Sequence, residues 1–185
     1  MGQFVFNSTP IKGLYVIETK IFADNRGYFM ETYNYKDFKE AGLDMVFVQD
    51  NQSKSKKGVL RGMHFQRKHT QGKLVGVIKG EVFDVALDLR KDSDTYGKCF
   101  GVLLNEENRK QFYVPKGFAH GFLVMSEEAE FAYKCTDYYH PEFEGSIIWN
   151  DPELGIEWPL TEIEEVILSE KDSKAPGFLE SKIEL

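Results

Sequence analysis

The chain has 185 residues, 42% of them apolar and 14% aromatic, which is enough to build one domain spanning residues 1–185 around a substantial core. Thirty acidic residues against 23 basic ones give a net charge of −7, which argues against sequence-independent nucleic-acid binding and requires any phosphorylated ligand to be met by a few local cations. The opening Met1-Gly2-Gln3-Phe4 carries neither a basic flank nor a long apolar core, so the expectation is a cytoplasmic protein with no signal segment and no membrane span.

Short runs rich in Val, Ile, Phe and Tyr, separated by turn residues, predict an all-β domain of antiparallel strands. In chain order the strands are expected at 14–22, 45–51, 60–66, 74–78, 82–89, 100–104 and 130–135. Helical signals are few: 35–41, closed by Gly42, a turn near 161–165, and a start at Ser169. Lys79-Gly80-Glu81 reads as a tight turn pairing the strands on either side, because glycine supplies the left-handed conformation that hairpins often need. Cys99 and Cys135 each sit in an apolar strand-like run, the usual place of a reduced buried thiol. Neither a repeat nor a Pro/Gly/Ser linker marks a second domain. Jelly roll, lipocalin-like barrel and immunoglobulin-like sandwich all fit this strand spacing.

Four histidines occur, at 64, 69, 120 and 140. In Leu60-Arg61-Gly62-Met63-His64-Phe65-Gln66, alternation puts Met63 and Phe65 on one face and Gly62, His64 and Gln66 on the other. A polar row fits a cavity wall, and equally a strand face turned to water. His120 follows Val114-Pro115-Lys116-Gly117-Phe118-Ala119, a turn that delivers a side chain to a strand mouth, where capping the turn is the ordinary alternative to function. His69 and His140 lie in polar stretches and are read as surface residues.

Pro115-x-Gly117-x-x-His120, with the earlier His64 strand and a Gly80-Glu81 turn between them, resembles the two-motif layout of the cupin superfamily, a jelly-roll barrel. Metal-binding cupins carry His-x-His followed by Glu, whereas this chain has His64-Phe65-Gln66 and then Lys73, whose charge opposes a metal in the same pocket. No catalytic metal and no cofactor are therefore expected. More specifically, Asp24-x-Arg26-Gly27-x-Phe29-x-Glu31, Gln49-Asp50-Asn51-x-Ser53, Leu60-Arg61-Gly62-x-His64-Phe65-Gln66, Gln71-Gly72-Lys73-Leu74-Val75, Pro115-x-Gly117-Phe118-Ala119-His120-Gly121-Phe122, Tyr133-Lys134-Cys135-Thr136, Trp149-Asn150-Asp151-Pro152 and Ser169-Glu170-Lys171-Asp172 resemble the dTDP-4-dehydrorhamnose 3,5-epimerase family, in family order. Asn150, where that family more often has Asp, is a small departure outside the motifs that bear on chemistry.

The resemblance implies a cupin-type jelly-roll barrel with a few short helices. It also implies inversion of C3 and C5 of a dTDP-4-keto-6-deoxy sugar. Both protons are alpha to the C4 ketone, so the reaction needs a base, a donor on the opposite face and a cation near the enolate oxygen. His64 matches the family's base, Asp172 its partner, Lys73 the enolate stabiliser and Tyr133 the donor. Residue type alone also allows a helix-start role for Asp172, three residues after Ser169, a core role for Tyr133 and a solvated turn for Lys73. At the substrate the family places Arg26 and Arg61, whose guanidinium forks suit phosphate, with Glu31, Gln49, Asp50, Asn51, His120, Glu144 and Lys171. For Glu144 and Lys171 the plain alternative is surface charge. Tyr139 matches the position that stacks on thymine, with Phe29 as the other wall. A homodimer exchanging N-terminal strands follows from the same resemblance. Inversion of one carbon only, a carbohydrate-binding jelly roll and a metal-dependent cupin are the competing readings; the missing second imidazole disfavours the last.

Overall fold

The computed structural model describes residues 2–183 and 185. Its strands in chain order are β1 (Phe4–Ser8), β2 (Tyr15–Thr19), β3 (Ile21–Asp24), β4 (Gly27–Met30), β5 (Gln49–Lys56), β6 (Leu60–Gln66) and β7 (Lys73–Lys79). There follow β8 (Glu81–Asp88), β9 (Cys99–Asn105), β10 (Gln111–Val114), β11 (Phe118–Val124), β12 (Glu128–Cys135) and β13 (Glu144–Ser146). Two short helices, α1 (Tyr35–Glu40) and α2 (Glu170–Ser173), complete the regular structure with brief 3-10 turns. The strands form a six-stranded sheet ordered β1-β2-β10-β7-β12-β5 and a five-stranded sheet ordered β13-β6-β11-β8-β9, all pairings antiparallel; β3 and β4 make a separate hairpin. This is the jelly-roll arrangement of a cupin barrel.

Alternation along each strand drives the two sheets together. Val75, Val77, Phe112, Val114, Ala129 and Phe131 from the six-stranded sheet meet Val82, Ala86, Leu104, Phe118, Phe122 and Val124 from the five-stranded sheet in one buried cluster. The outer face of the five-stranded sheet is covered by the C-terminal segment, with Leu154, Trp158 and Ile183 packed on Met63, Val85, Leu87 and Leu123. Helix α1 is capped by Asn34, whose side chain accepts from the amides of Lys36 and Asp37, and buries Phe38 against Phe4 and Ile17.

Several expected boundaries moved. The run 14–22 divides into β2 and β3 at Lys20, since the chain there leaves the six-stranded sheet to start the hairpin. The run 45–51 becomes a strand only from Gln49, and β5 continues to Lys56 through Ser53 and Ser55, polar residues on its inward face. Gly80 does have left-handed φ, +79°, but it does not pair its neighbours: β7 belongs to one sheet and β8 to the other, so the chain turns the corner of the barrel there. A Cβ at Gly80 would meet the Glu128 carbonyl at 2.1 Å, so this corner admits no side chain.

Candidate active site

Between the sheets at one end of the barrel lie two adjoining hollows of about 290 and 440 Å³, both lined by His64, Lys73 and Tyr133. His64 comes from β6 in the five-stranded sheet, Lys73 and Tyr133 from β7 and β12 in the six-stranded sheet, so the imidazole and the phenol enter from opposite walls. The register of β6 against β11 shifts between His64↔His120 and Arg61↔Phe122. That irregularity brings Arg61 and His64, three residues apart, to the same hollow, where strict alternation would separate them. Gly62 lies between them with its Cα against the Gly121 backbone; a Cβ there would sit 2.5 Å from the Gly121 Cα.

His64 Nε2 is 2.5 Å from Asp172 Oδ1. Asp172 is buried in α2, and its own amide donates to the Ser169 side chain, so the helix-start role and the imidazole-partner role coexist in one short segment. Burial works against a charged Asp172, yet the His64 ring, the Ser169 side chain and the Gly62 backbone amide hold its carboxyl below the ordinary carboxylate range. A charged partner on one ring nitrogen leaves the other free to accept a proton from the cavity.

On the facing wall, burial pushes the Tyr133 phenol above its ordinary pKa, with the Cys135 thiol adding to the rise and Arg61 opposing it. It remains a protonated donor through the neutral range. Lys73 lines both hollows and is partly buried, and desolvation pulls its ammonium below the ordinary value, with the Cys135 thiol and two carboxylates opposing the drop. The carboxylates that act on it at longer range, Asp84 and Glu144, are already committed: Asp84 bonds His120 Nε2 at 2.8 and 3.0 Å, and Glu144 Oε2 pairs with Lys171 Nζ at 2.5 Å. The Lys73 ammonium is thereby left available for a developing negative charge.

Tyr139 Oη donates to Glu144 Oε2 at 2.8 Å, so Tyr139, Glu144 and Lys171 form one cluster at the cavity rim, not scattered surface charge. Gln49 and Asn51 face the cavity from β5, with the Gln49 amide donating to Asn51 Oδ1 at 3.1 Å. Arg61 reaches Ser55 Oγ through Nε and Nη2 at 3.2 and 3.0 Å, which anchors its guanidinium at the mouth of the second hollow. His120 lines that hollow too.

Four expected residues lie elsewhere in this chain. Asp50 alternates to the outer face of β5, where it pairs with Lys134 at 2.9 Å. Arg26 and Phe29 sit on the β3–β4 hairpin, 84% exposed at the Arg26 side chain and 66% at Phe29, and Arg26 bonds its neighbour Asp24. Glu31 follows that hairpin, its carbonyl accepting from Thr19. None of these four lines the hollows at His64. Conversely, Asp84 was not singled out by sequence, although an Asp inside the apolar run 82–89 is a buried charge that demands a partner, and Gln66, Gln71 and Ser169 were read within their motifs without a role at the substrate. Gln66, where a metal-binding cupin has its second imidazole, donates instead to the His69 carbonyl at 2.6 Å and accepts from the His140 amide at 2.6 Å.

A jelly roll holding an imidazole–carboxylate pair opposite a phenol, with a lysine beside both, is a cupin whose cavity is equipped for acid–base chemistry. Over residues 8–180 the chain matches the family model described as dTDP-4-dehydrorhamnose 3,5-epimerase, and it belongs to that family. A dTDP-4-dehydrorhamnose 3,5-epimerase of Methanothermobacter thermautotrophicus is 54% identical over 185 residues, all of both chains. One from Salmonella typhimurium is 55% identical over 170 residues, 91% of this chain and 92% of that one. Among solved structures, the Legionella pneumophila epimerase in complex with dTDP-4-keto-L-rhamnose superposes with a TM-score of 0.91 at 54% identity, over 94% of this chain and 92% of that one. No described helix is long and apolar enough to cross a membrane.

Proposed function

We propose that this protein inverts C3 and C5 of dTDP-4-dehydro-6-deoxy-D-glucose to give dTDP-4-dehydro-L-rhamnose, using its own side chains as acid and base. The observation that carries the reading is the entry of His64 and Tyr133 from opposite sheets into the same two hollows, which Lys73 also lines. In the gluco configuration the C3 and C5 hydrogens are both axial on the same ring face, so one base can serve both carbons. His64 removes the proton, the electron pair moves into the enolate with its charge on the C4 oxygen, and Lys73 stabilises that oxygen. Tyr133 then gives its proton to the same carbon from the other face. The imidazolium loses its proton to solvent and the phenolate regains one, which resets the site for the second carbon.

Asp172 orients the His64 ring and stabilises the imidazolium. The rim cluster of Tyr139, Glu144 and Lys171, with Gln49 and Asn51, suits the nucleotide end of the substrate: an aromatic face for thymine, donors and a cation for its polar edge and phosphates. Arg26, Phe29 and Glu31 fit this scheme if the exposed β3–β4 hairpin reaches the cavity of a second protomer, as in a homodimer with exchanged N-terminal strands. The two free thiols, Cys99 and Cys135, accord with a cytoplasmic setting.

Incubation with the dTDP-4-keto sugar in deuterated water, followed by NMR, tests the reading. Label at both C3 and C5 is expected. Label at a single carbon would make this a one-carbon epimerase, and label at neither would leave a binding protein.

A further inference from the structure

Outside the cavity, His69, Asp137 and His140 offer three ligand atoms that all lie within 4.8 Å of one another. We propose that these residues form a site for a borderline divalent transition metal of the zinc type, which ties the β6–β7 loop to the segment after β12. Two imidazoles and one carboxylate, with water in the remaining position, are a donor set that such ions take.

The donor atoms stand close enough to share one ion after a turn of the rings. Asp137 Oδ1 accepts from the Tyr138 amide at 2.8 Å, which leaves Oδ2 facing His69 Nδ1 at 4.0 Å. That gap is too long for a hydrogen bond and is near the spacing of two donors on one ion, about 3.3 Å for tetrahedral bonds of 2.0–2.1 Å. His140 Nδ1 lies 3.4 Å from Glu142 Oε1, an outer carboxylate able to accept a hydrogen bond from Nδ1–H, the tautomer that keeps the lone pair on Nε2 for the ion. The two rings are stacked with centroids 4.3 Å apart, so occupancy requires them to turn out of the stack until their lone pairs converge.

The backbone carrying these ligands is already fixed. Buried Gln66 holds both loops through the His69 carbonyl and the His140 amide, and Gln71 donates to the Asp137 carbonyl at 2.8 Å. His69 itself has a φ of +53°, a left-handed conformation that a non-glycine residue keeps only where its surroundings enforce it. Because Tyr138 and Tyr139 lie between two of the ligands, an ion here would pin the segment that presents Tyr139 to the cavity. It would not touch His64, so it would take no part in proton transfer.

Titration of tag-free full-length protein with Zn²⁺ by calorimetry, paired with thermal unfolding, decides the matter without any assay of turnover. Expected are one equivalent of saturable binding and a zinc-dependent rise in Tm. In His69→Gln and in His140→Gln the affinity should fall by at least about tenfold, since even outer-shell partners cost that much. Both side chains are partly exposed, and an unchanged metal-free Tm will show that the variants fold. Anomalous diffraction from zinc-soaked crystals should give a peak between the three residues. No saturable binding, binding indifferent to both substitutions, or a peak at His64 and Asp172 instead would each overturn the proposal.

Discussion

In the proposed reaction each of the four central side chains handles a different charge, and substitutions at three of them should separate their roles. His64→Ala removes the group proposed to take the substrate proton, so deuterium wash-in and inversion should both fall by at least about 10³-fold. Asp172→Ala leaves the base in place but untethered, and a slow residual rate is expected, roughly 10²- to 10⁴-fold below the original. Wash-in at an unchanged rate in the first variant would remove His64 from the mechanism. Tyr133→Phe keeps the ring's packing and deletes the donor. Enolate formation from the His64 wall should then persist at a reduced rate while net inversion drops further, by about 10²- to 10⁴-fold. Equal loss of wash-in and inversion in that variant would mean that Tyr133 holds the substrate and is not the donor.

At the level of strands and loops, the barrel is held partly by buried charge, as at the end of β8. Asp88 is fully buried and receives the Arg90 fork at 2.8 and 2.7 Å together with the Ser93 and Thr95 hydroxyls, both at 2.7 Å. Burial alone would raise its carboxyl, but these bonds lower it from 3.8 to about 2. A pKa depressed by folding adds stability that is complete above the unfolded value and disappears as pH falls through the folded one, here on the order of 2 kcal/mol between about pH 5 and pH 2. Urea unfolding of the protein and of Asp88→Asn should therefore show a gap that narrows as pH drops across that window; a constant gap would assign the loss to packing instead. Asp88, like Asp84, interrupts an apolar run, and that interruption was the readable sign of a buried pair whose partners the sequence did not name. The apolar strands β7, β8, β9 and β12 were legible to within two residues because burial on both faces or one enforces their composition. Strand β5 was not, since its inward residues are polar, Gln49, Asn51 and Ser53 lining the cavity and Ser55 accepting from Arg61, which leaves no apolar period to find. The sheet change at Gly80 was hidden for another reason: a left-handed glycine serves a hairpin and a barrel corner equally well.

For the whole molecule, the open question is whether the hairpin belongs to its own site or to a neighbour's. Ile21, Phe22, Tyr28 and Phe29 are all exposed on β3 and β4, a cluster of apolar side chains that a lone soluble chain has little reason to present. Two copies related by a twofold axis would cover both hairpins at once and create two equivalent sites, each with His64 from one protomer and Arg26 from the other. Subunit mixing distinguishes this from a self-contained site. His64→Ala and Arg26→Ala should each be deficient alone, the first in chemistry and the second in substrate affinity at limiting concentration. When the two are unfolded, mixed in equal amounts and refolded together, half of the dimers become hybrids. In each hybrid one site combines the intact His64 with the intact Arg26, and the other carries both lesions. Activity should then recover to about a quarter of the original, the statistical limit for one good site in half of the dimers. In a protein whose sites are built from a single chain no hybrid site is whole, and the mixture would do no better than the average of its two parents.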